Sequence, residues 1–271
     1  MIKQKRQVFF ISDRTGITAE TLGNSLLTQF PKINFDRTFI PFVSDKPSAA
    51  RAVEKIKSNI QETTVPPIIF STITEPEILT IISKCSPFIF DFFGTFIAPL
   101  ENALDCKSSR TAGRMHGIQD TYAYESRLNA LNFTLNHDDG LSPNNFHEAD
   151  VVLVGVSRCG KTPTCLYLAM HYSLKAANYP LTSDDFVRDG IPEVLKNSRA
   201  KLFGLTIEPE QLSRIRKERR PQGAYSTIET CKKEIEQAEK IFENEKLNFL
   251  DTSTISIEEI AAVIVQKKGL Y

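Results

Sequence analysis

Several features are scarce or missing in this sequence of 271 residues, and each absence excludes a class of protein. The 5 cysteines include no C-x-x-C pair, so neither a disulfide framework nor a zinc knuckle is indicated. The 33 Lys and Arg residues balance 33 Asp and Glu residues, so no overall field favours nucleic acid or an acidic membrane. Apolar runs such as residues 151–156 are far shorter than the roughly 20 residues of a membrane helix. We therefore predict reduced thiols and neither a nucleic-acid nor a membrane partner.

The overall composition is typical of a folded cytoplasmic protein. Hydrophobic residues make up 41% and charged residues 24% of a chain that is long enough to bury a substantial core. The N-terminus is basic, but the apolar run at residues 8–11 is too short for the hydrophobic segment of a secretory signal. We expect a cytoplasmic location and one large domain or two ordinary ones.

Short β-rich runs alternate with longer amphipathic runs along most of the chain. The first block predicts strands at residues 8–11, 38–43, 68–70 and 88–90, and helices at 18–30, 48–60, 75–83 and 97–104. After a polar stretch with one predicted helix, the second block predicts strands at 151–154, 176–179, 202–207 and 249–250, and helices at 163–172, 210–219, 227–245 and 257–266. The intervening helix is predicted at residues 122–135. Such alternation is typical of an α/β fold with parallel sheets covered by helices.

The sharpest signal in the sequence is a phosphate-binding pattern. It satisfies G-x-x-x-x-G-K-[ST] in full, through Gly155, Val156, Ser157, Arg158, Cys159, Gly160, Lys161 and Thr162. The glycines let successive backbone N–H groups point at phosphate oxygens, Lys161 adds a mobile positive charge, and Thr162 offers a hydroxyl to a divalent cation. An apolar run precedes the motif and a helical run follows it, as a P-loop requires. We therefore predict a nucleotide phosphate site, with Mg²⁺ held in part by Thr162.

The change of pattern around this motif predicts three segments. Residues 1–104 are expected to form an N-terminal α/β domain of βα repeats that serves docking or dimerisation. Residues 105–146 are expected to be a connector that carries functional loops. Residues 147–271 are expected to form the catalytic domain, which is P-loop kinase-like and has a parallel sheet.

The P-loop does not name the reaction, and the motifs around it exclude two classes of protein. No N/T-K-x-D follows Lys161, which excludes a switch GTPase, and no H-R-D catalytic loop is present, which excludes a eukaryotic-type protein kinase. No predicted strand after the P-loop ends in a clear aspartate for the metal. Asp184 and Asp185 are the nearest candidates for a second metal contact.

Two groups in the connector are candidates for chemistry. Asp138 and Asp139 follow a predicted helix and precede the P-loop strand, where a carboxylate can take a proton from an attacking hydroxyl or help to hold the metal. The alternative is an ordinary helix end with Gly140 as its left-handed cap. His116 lies in a glycine-flanked basic segment and is a candidate acid, base or anion ligand.

Two further segments have both a functional and a structural interpretation. Arg216 and Arg220 share one face of a predicted helix, with Arg219 beside them, and P-loop kinases cover the transferring phosphoryl group with arginines from a mobile lid. The alternative is a solvated basic helix end, which the helix dipole favours. Residues 12–20 follow the first predicted strand, where open α/β sheets bind ligands, but their threonines also fit a capping box.

Six segments, in the same order along nearly the whole chain, carry a resemblance to a known family. They are residues 11–23 (ISDRTGITAETLG), 113–117 (GRMHG), 137–140 (HDDG), 155–163 (GVSRCGKTP), 176–181 (AANYPL) and 202–206 (LFGLT). Together they resemble the bacterial phosphoenolpyruvate synthase regulatory proteins, whose relatives regulate pyruvate, phosphate dikinase. The resemblance is far more specific than the P-loop alone.

The resemblance implies a bifunctional serine/threonine kinase and phosphotransferase. Members of the family use ADP to phosphorylate a threonine beside the catalytic histidine of the target enzyme, which inactivates the target. They reactivate it by phosphorolysis, in which inorganic phosphate attacks the phosphothreonine and pyrophosphate leaves. The match at residues 155–163 favours phosphoenolpyruvate synthase over pyruvate, phosphate dikinase as the target, and the family implies a homodimer. It adds weight to Asp138, Asp139, His116 and the arginines without assigning their roles.

Two other functions remain open on the sequence alone. An ATP-dependent kinase of small molecules would share the same phosphate cradle. A nucleotide-sensing module that controls a partner without chemistry is favoured by the lack of a clear metal-binding aspartate after the P-loop. Three measurements separate these functions from the bifunctional kinase and phosphotransferase. They are the preference for ADP or ATP as donor, the nature of the labelled product and the turnover of labelled ADP.

Overall fold

The computed structural model describes residues 5–60, 65–109, 121–140, 143–187, 190–220 and 223–270. The chain divides into two compact units, Met1–Gly117 and Ile118–Tyr271. The later part of the predicted connector therefore belongs with the P-loop unit. Each unit is built around one four-stranded parallel sheet, as the alternating pattern predicts.

The first unit alternates strands and helices throughout. Its elements are β1 (Lys5–Ile11), α1 (Ile17–Leu27), β2 (Asn34–Ile40), α2 (Lys46–Ile60), β3 (Ile68–Ser71), α3 (Pro76–Ser83), β4 (Phe88–Asp91) and α4 (Phe92–Leu104). The strands pair in the order β2-β1-β3-β4. Because successive side chains point to opposite faces, Phe9 and Ile11 of β1 pack in one core, and Val8 and Phe10 pack in another. The sheet is thus apolar on both faces, as a parallel sheet covered by helices requires.

Two elements in the first unit differ most from the sequence prediction. The second strand was expected at residues 38–43, but β2 begins at Asn34 and ends at Ile40. Its first half is rich in polar residues, and pairing with β1 along its whole length defines it as a strand. The helix expected at residues 97–104 begins at Phe92. Its first phenylalanines are typical of a strand, so the sequence pattern did not separate them from the preceding strand.

The turn after β1 lies at the carboxyl end of the first sheet. Asp13 Oδ2 accepts hydrogen bonds from N and Oγ1 of Thr74 at 3.1 and 2.7 Å, which ties this turn to the one after β3. Gly16, with a φ of 83°, precedes α1, and no side chain caps this helix. The capping-box interpretation of residues 12–20 is therefore wrong for α1, and ligand binding at this turn stays a prediction.

The second unit places the P-loop strand at the centre of its sheet. Its elements are α5 (Thr121–Asn136), β5 (Val151–Gly155), α6 (Lys161–Tyr172), β6 (Ala176–Pro180), α7 (Ser183–Phe186), β7 (Leu202–Thr206), α8 (Pro209–Arg219), α9 (Ile228–Asn244), β8 (Phe249–Asp251) and α10 (Ile257–Lys268). Short 3₁₀ segments lie at Asp138–Gly140, Pro143–Glu148, Glu193–Lys201 and Ala224–Ser226. The strands pair in the order β6-β5-β7-β8, and every residue of β5 is buried. The P-loop therefore starts from a fixed framework.

Helix α5 packs against α6 and β6, which brings the turn after α5 towards the start of α6. This packing positions the aspartates of that turn. No helix in the part of the chain that the structure describes is both long enough and apolar enough to cross a bilayer.

Candidate functional site

The P-loop connects the central strand β5 to helix α6. The strand ends at Gly155 and the helix begins at Lys161, in the strand–loop–helix order that the sequence predicts. Between them the backbone is left-handed at Arg158, with a φ of 78°, and at Gly160, with a φ of 91°. The first N–H groups of an α-helix have no partner within the helix, so the start of α6 can bind an anion.

Gly155 is required by a close approach of two strands. A Cβ atom at this position would lie 2.3 Å from the carbonyl oxygen of Leu205 in β7 and 2.9 Å from Sγ of Cys159. Any larger residue would push the P-loop away from the neighbouring strand. Packing by itself therefore requires glycine at the first position of the motif.

Lys161 folds back over the loop. Its Nζ donates hydrogen bonds to the carbonyl oxygens of Gly155 at 3.0 Å and Val156 at 2.7 Å, and only 4% of the residue is exposed. Phosphate oxygens that enter the loop would meet this ammonium at close range, where a charge-assisted hydrogen bond is strong.

Thr162 is held by a carboxylate that comes from before the P-loop. Its Oγ1 donates to Oδ1 of Asp138 at 2.8 Å. The side-chain amide of Asn178, in β6, donates to the same Asp138 oxygen and also to Thr162 Oγ1, the latter at 3.2 Å. A carboxylate from an earlier part of the chain thus reaches the threonine of the P-loop.

Asp139 has a different environment from its neighbour. Its backbone is left-handed, with a φ of 51°, and its N–H donates to Oδ1 of Asn178 at 3.0 Å. Its side chain is exposed and makes no hydrogen bond within the described part of the chain. The turn has a left-handed residue at Asp139, whereas the helix-end alternative named Gly140 for that conformation.

Arg216 differs from the expected lid arginine. Its side chain is fully buried beneath the P-loop, where Nε and Nη2 donate to the carbonyl oxygen of Ser157 at 3.3 and 3.1 Å. Nη2 also lies 2.6 Å from Oε2 of Glu234, and the guanidinium carbon lies 4.1 Å from the ring centroid of Tyr225. A side chain with these partners supports the loop from below and is not free to close over a substrate.

The other predicted site residues have different outcomes. Arg220 follows α8, and its side chain is exposed, as is that of Arg158 in the loop. His116 lies outside the described residues. Asp185 caps α7 by accepting hydrogen bonds from N and Oγ1 of Thr182, so its carboxylate is engaged in a helix cap. Its role as a metal ligand is therefore not supported by this geometry.

The thiols around the loop are buried. Burial raises the pKa of the Cys165 thiol far above its usual range, and the nearby Asp138 carboxylate raises it further. Cys165 is therefore a neutral packing group at physiological pH, since only the thiolate is a good nucleophile. Within the described residues, no cluster of three or more His, Cys, Asp or Glu side chains is arranged to hold a metal by itself.

Sequence reasoning missed several residues that shape the site. Asn178 was noticed only as part of a resembling segment, although a polar residue inside a buried apolar strand is itself a signal. Tyr225 donates from its hydroxyl to Oγ of Ser157 at 3.0 Å, and Thr252 donates to the carbonyl oxygen of Cys159 at 3.2 Å. These two residues lie far from the motif in sequence and carry no local pattern that would reveal them.

Comparison with known proteins shows the family to which this chain belongs. A family model described as kinase/pyrophosphorylase matches residues 8–265. A protein of Bordetella avium is 49% identical over 265 residues, which cover 98% of this chain and 97% of that protein. Proteins of Azoarcus sp. and Legionella pneumophila (strain Corby) are 50% and 45% identical over 266 residues, which cover 98% of this chain in each case and 96% and 98% of those proteins. All three are named, provisionally, phosphoenolpyruvate synthase regulatory proteins. This chain therefore belongs to the kinase/pyrophosphorylase family.

Proposed function

We propose that this protein is a bifunctional regulator of phosphoenolpyruvate synthase. In one direction it transfers the β-phosphoryl group of ADP to a threonine of the target and inactivates it. In the other it removes that group with inorganic phosphate, which releases pyrophosphate. The observation that carries the proposal is a complete P-loop whose Thr162 hydroxyl is bound by Asp138, in a chain of the kinase/pyrophosphorylase family.

The P-loop supplies the groups that would bind the phosphates of ADP. The first N–H groups of α6 have no partner within the helix, and both they and the ammonium of Lys161 favour negative charge. Phosphate oxygens would compete with the carbonyl oxygens of Gly155 and Val156 for Lys161. In the phosphorolytic direction the same cradle would hold inorganic phosphate.

The residues at the loop fit a magnesium ion. Mg²⁺ prefers oxygen ligands and is usually bound by one or two protein groups together with substrate phosphates. Thr162 Oγ1 and Asp138 Oδ2 are such oxygens, and Oδ2 accepts no hydrogen bond within the described residues. When bound, the cation would neutralise charge that develops on the phosphoryl oxygens.

The forward transfer needs a proton acceptor near the attacking hydroxyl. The threonine oxygen forms a bond to the β-phosphorus of ADP, the bond from that phosphorus to the bridging oxygen breaks, and AMP leaves. The hydroxyl proton passes to a carboxylate, and the exposed Asp139 carries one beside the loop. Arg219 or Arg220 would close over the transferring group. Unlike Arg216, which is buried, both have exposed side chains.

Phosphorolysis uses the same positions with different reactants. An oxygen of inorganic phosphate forms a bond to the phosphorus of the phosphothreonine, and the bond to the threonine oxygen breaks. The threonine oxygen takes up a proton, and pyrophosphate leaves. One anion cradle and one acid–base group can serve both reactions, since each is an in-line displacement at phosphorus.

The test is transfer of label from β-labelled ADP to purified phosphoenolpyruvate synthase, with pyruvate, phosphate dikinase as the alternative target and labelled ATP as the alternative donor. We expect label on a threonine of the synthase, released as pyrophosphate when inorganic phosphate is added. Label that appears on a small molecule from ATP would show a metabolite kinase. Tight ADP binding without turnover would show a nucleotide-sensing module.

Helix α4 supports the homodimer that the family implies. Phe93, Phe96, Leu100 and Leu104 recur at helical spacing along it, and their exposed fractions run from 36 to 71%. Contiguous apolar patches beyond about 300–600 Å² are uncommon on monomers and mark interaction sites. An uncharged stripe of this kind can pair with a second copy of itself across a two-fold axis, because no like charges oppose each other.

Leu100→Asp is therefore expected to convert the dimer into a monomer, since each copy would bury an unpaired carboxylate in the interface. Asn102→Asp, on the same helix and also exposed, adds the same charge on the opposite face from the stripe and should leave the dimer intact. Light scattering after size-exclusion chromatography gives the mass directly. A wild-type monomer, or a Leu100→Asp dimer, would contradict the assignment of α4.

A further inference from the structure

Asn178 contacts both candidate aspartates and the P-loop threonine at once. Only 1% of this residue of β6 is exposed. Its side chain donates to Asp138 Oδ1 and Thr162 Oγ1 and accepts the N–H of Asp139, while its backbone N–H donates to the carbonyl oxygen of His137 at 3.3 Å. One buried residue therefore holds three consecutive residues of the turn after α5.

The hydrogen bonds in this network leave one lone pair of Thr162 Oγ1 unused. The hydroxyl gives its single hydrogen to Asp138 and accepts one hydrogen from Asn178, so one of its two lone pairs remains for a cation. Both hydrogens of the Asn178 amide are used, and its oxygen is used as well. A neutral side chain that donates twice and accepts once is needed here, and an ionised aspartate cannot donate.

The same contacts separate two adjacent carboxylates. Asp138 is half-buried and turned onto Thr162, whereas Asp139 is exposed. The left-handed backbone at Asp139 is disfavoured for a residue with a Cβ, and the hydrogen bond from its N–H to Asn178 helps to stabilise it. Without that bond the turn could relax, and both carboxylates would compete for one hydroxyl.

We propose that Asn178 is a positioning residue that gives the two aspartates separate tasks. It keeps Asp138 on Thr162, where the pair can hold a divalent cation, and it keeps Asp139 free to accept the proton of the target hydroxyl. This inference rests on the proposed phosphoryl transfer, but the hold on Asp138 and Thr162 is testable by nucleotide binding alone.

Two substitutions at Asn178 and one control test the proposal. Asn178→Ala removes all three side-chain hydrogen bonds, and we expect kcat for label transfer to fall by about 10–100-fold, as for other partners of metal ligands. The gain in ADP affinity on adding Mg²⁺, measured by calorimetry against EDTA, should also be lost, while affinity in EDTA stays within about threefold. Thr134→Ala is the control, since it removes a different buried hydrogen bond of β6, in which the N–H of Ala176 donates to Thr134 Oγ1. It should change neither kcat nor the gain in ADP affinity on adding Mg²⁺.

Asn178→Asp tests the same role without changing the shape of the side chain. An ionised carboxylate cannot donate to Asp138 or to Thr162, so both hydrogen bonds that hold this pair together are lost. We therefore expect kcat for label transfer to fall at least as far as in Asn178→Ala, although the volume of the side chain is unchanged.

Three results would overturn the assignment of Asn178. They are a kcat within about twofold of wild type in Asn178→Ala, a kcat within about twofold of wild type in Asn178→Asp, or the same loss of magnesium dependence in Thr134→Ala. If the wild type labels no protein at all, the proposed function fails instead. The magnesium dependence of ADP binding in the Asn178 variants then still decides whether Asn178 holds Asp138 and Thr162.

Discussion

Lys161→Ala is expected to slow transfer of label from ADP by about 10²–10³-fold, because it removes a preorganised charge from the phosphate site. ADP binding should weaken by about tenfold or more, which calorimetry measures directly. The fold should survive the loss of the hydrogen bonds to the carbonyl oxygens of Gly155 and Val156, at about 1.5–3 kcal/mol each, because the cost of burying the ammonium disappears with them.

Lys240→Ala is the matched control for this change, since it removes an exposed lysine from α9 in the same unit. It should leave both ADP affinity and transfer rate unchanged. A folded Lys161→Ala protein with wild-type ADP affinity and wild-type transfer would remove the P-loop from the mechanism.

Arg216→Met is expected to lower the free energy of unfolding by about 3 kcal/mol. Loss of one partner of a buried ion pair typically costs about 3–5 kcal/mol, and the lower end applies because Glu234 is 26% exposed. At about 2–4 °C per kcal/mol for a unit of this size, the melting temperature should fall by about 6–12 °C. ADP binding should weaken too, since the carbonyl oxygen of Ser157 loses both of its guanidinium hydrogen bonds.

A surface pair in the same unit provides the control for Arg216. Arg199 lies 2.8 Å from Glu245, but 56% of its side chain is exposed. Arg199→Met should therefore cost less than about 1 kcal/mol and leave ADP binding unchanged. Equal losses in the Arg199 and Arg216 variants would contradict the buried role of Arg216.

A double variant separates stability from function at this position. Arg216→Met combined with Glu234→Leu replaces the ion pair by apolar groups and should recover most of the lost stability. ADP binding should stay weak, because Ser157 still lacks its donor. Recovery of wild-type ADP affinity in the double variant would show that Arg216 acts through stability alone.

Most of the fold could be predicted because it depends on local periodicity. The alternation of apolar and amphipathic runs predicted both parallel sheets, and the strand β5 followed by α6 agreed closely with the prediction. The prediction was wrong where a long-range partner defines an element. The strand β2 is polar in its first half and is recognised by its pairing with β1.

The candidate site was predictable only in part. Residues 155–162 form a contiguous motif, so the phosphate cradle could be located from the sequence. Asp138 was named as a candidate, but its task was left open between the metal and the substrate proton. Arg216 was assigned to a lid because helical spacing shows which residues share a face and does not show whether that face is buried.

The sequence by itself determined that this chain has a P-loop between a strand and a helix, since that motif is local in the chain. Only the tertiary structure decided which residues support it. Thr162 is hydrogen-bonded to Asp138, 24 residues away in the sequence, and to Asn178, 16 residues away. The loop residue Ser157 accepts a hydrogen bond from Arg216, 59 residues away. These contacts form because β6 pairs with β5 and helices α5 and α8 pack beside the loop. Sequence spacing does not reveal such long-range contacts, so they become visible only in the folded structure.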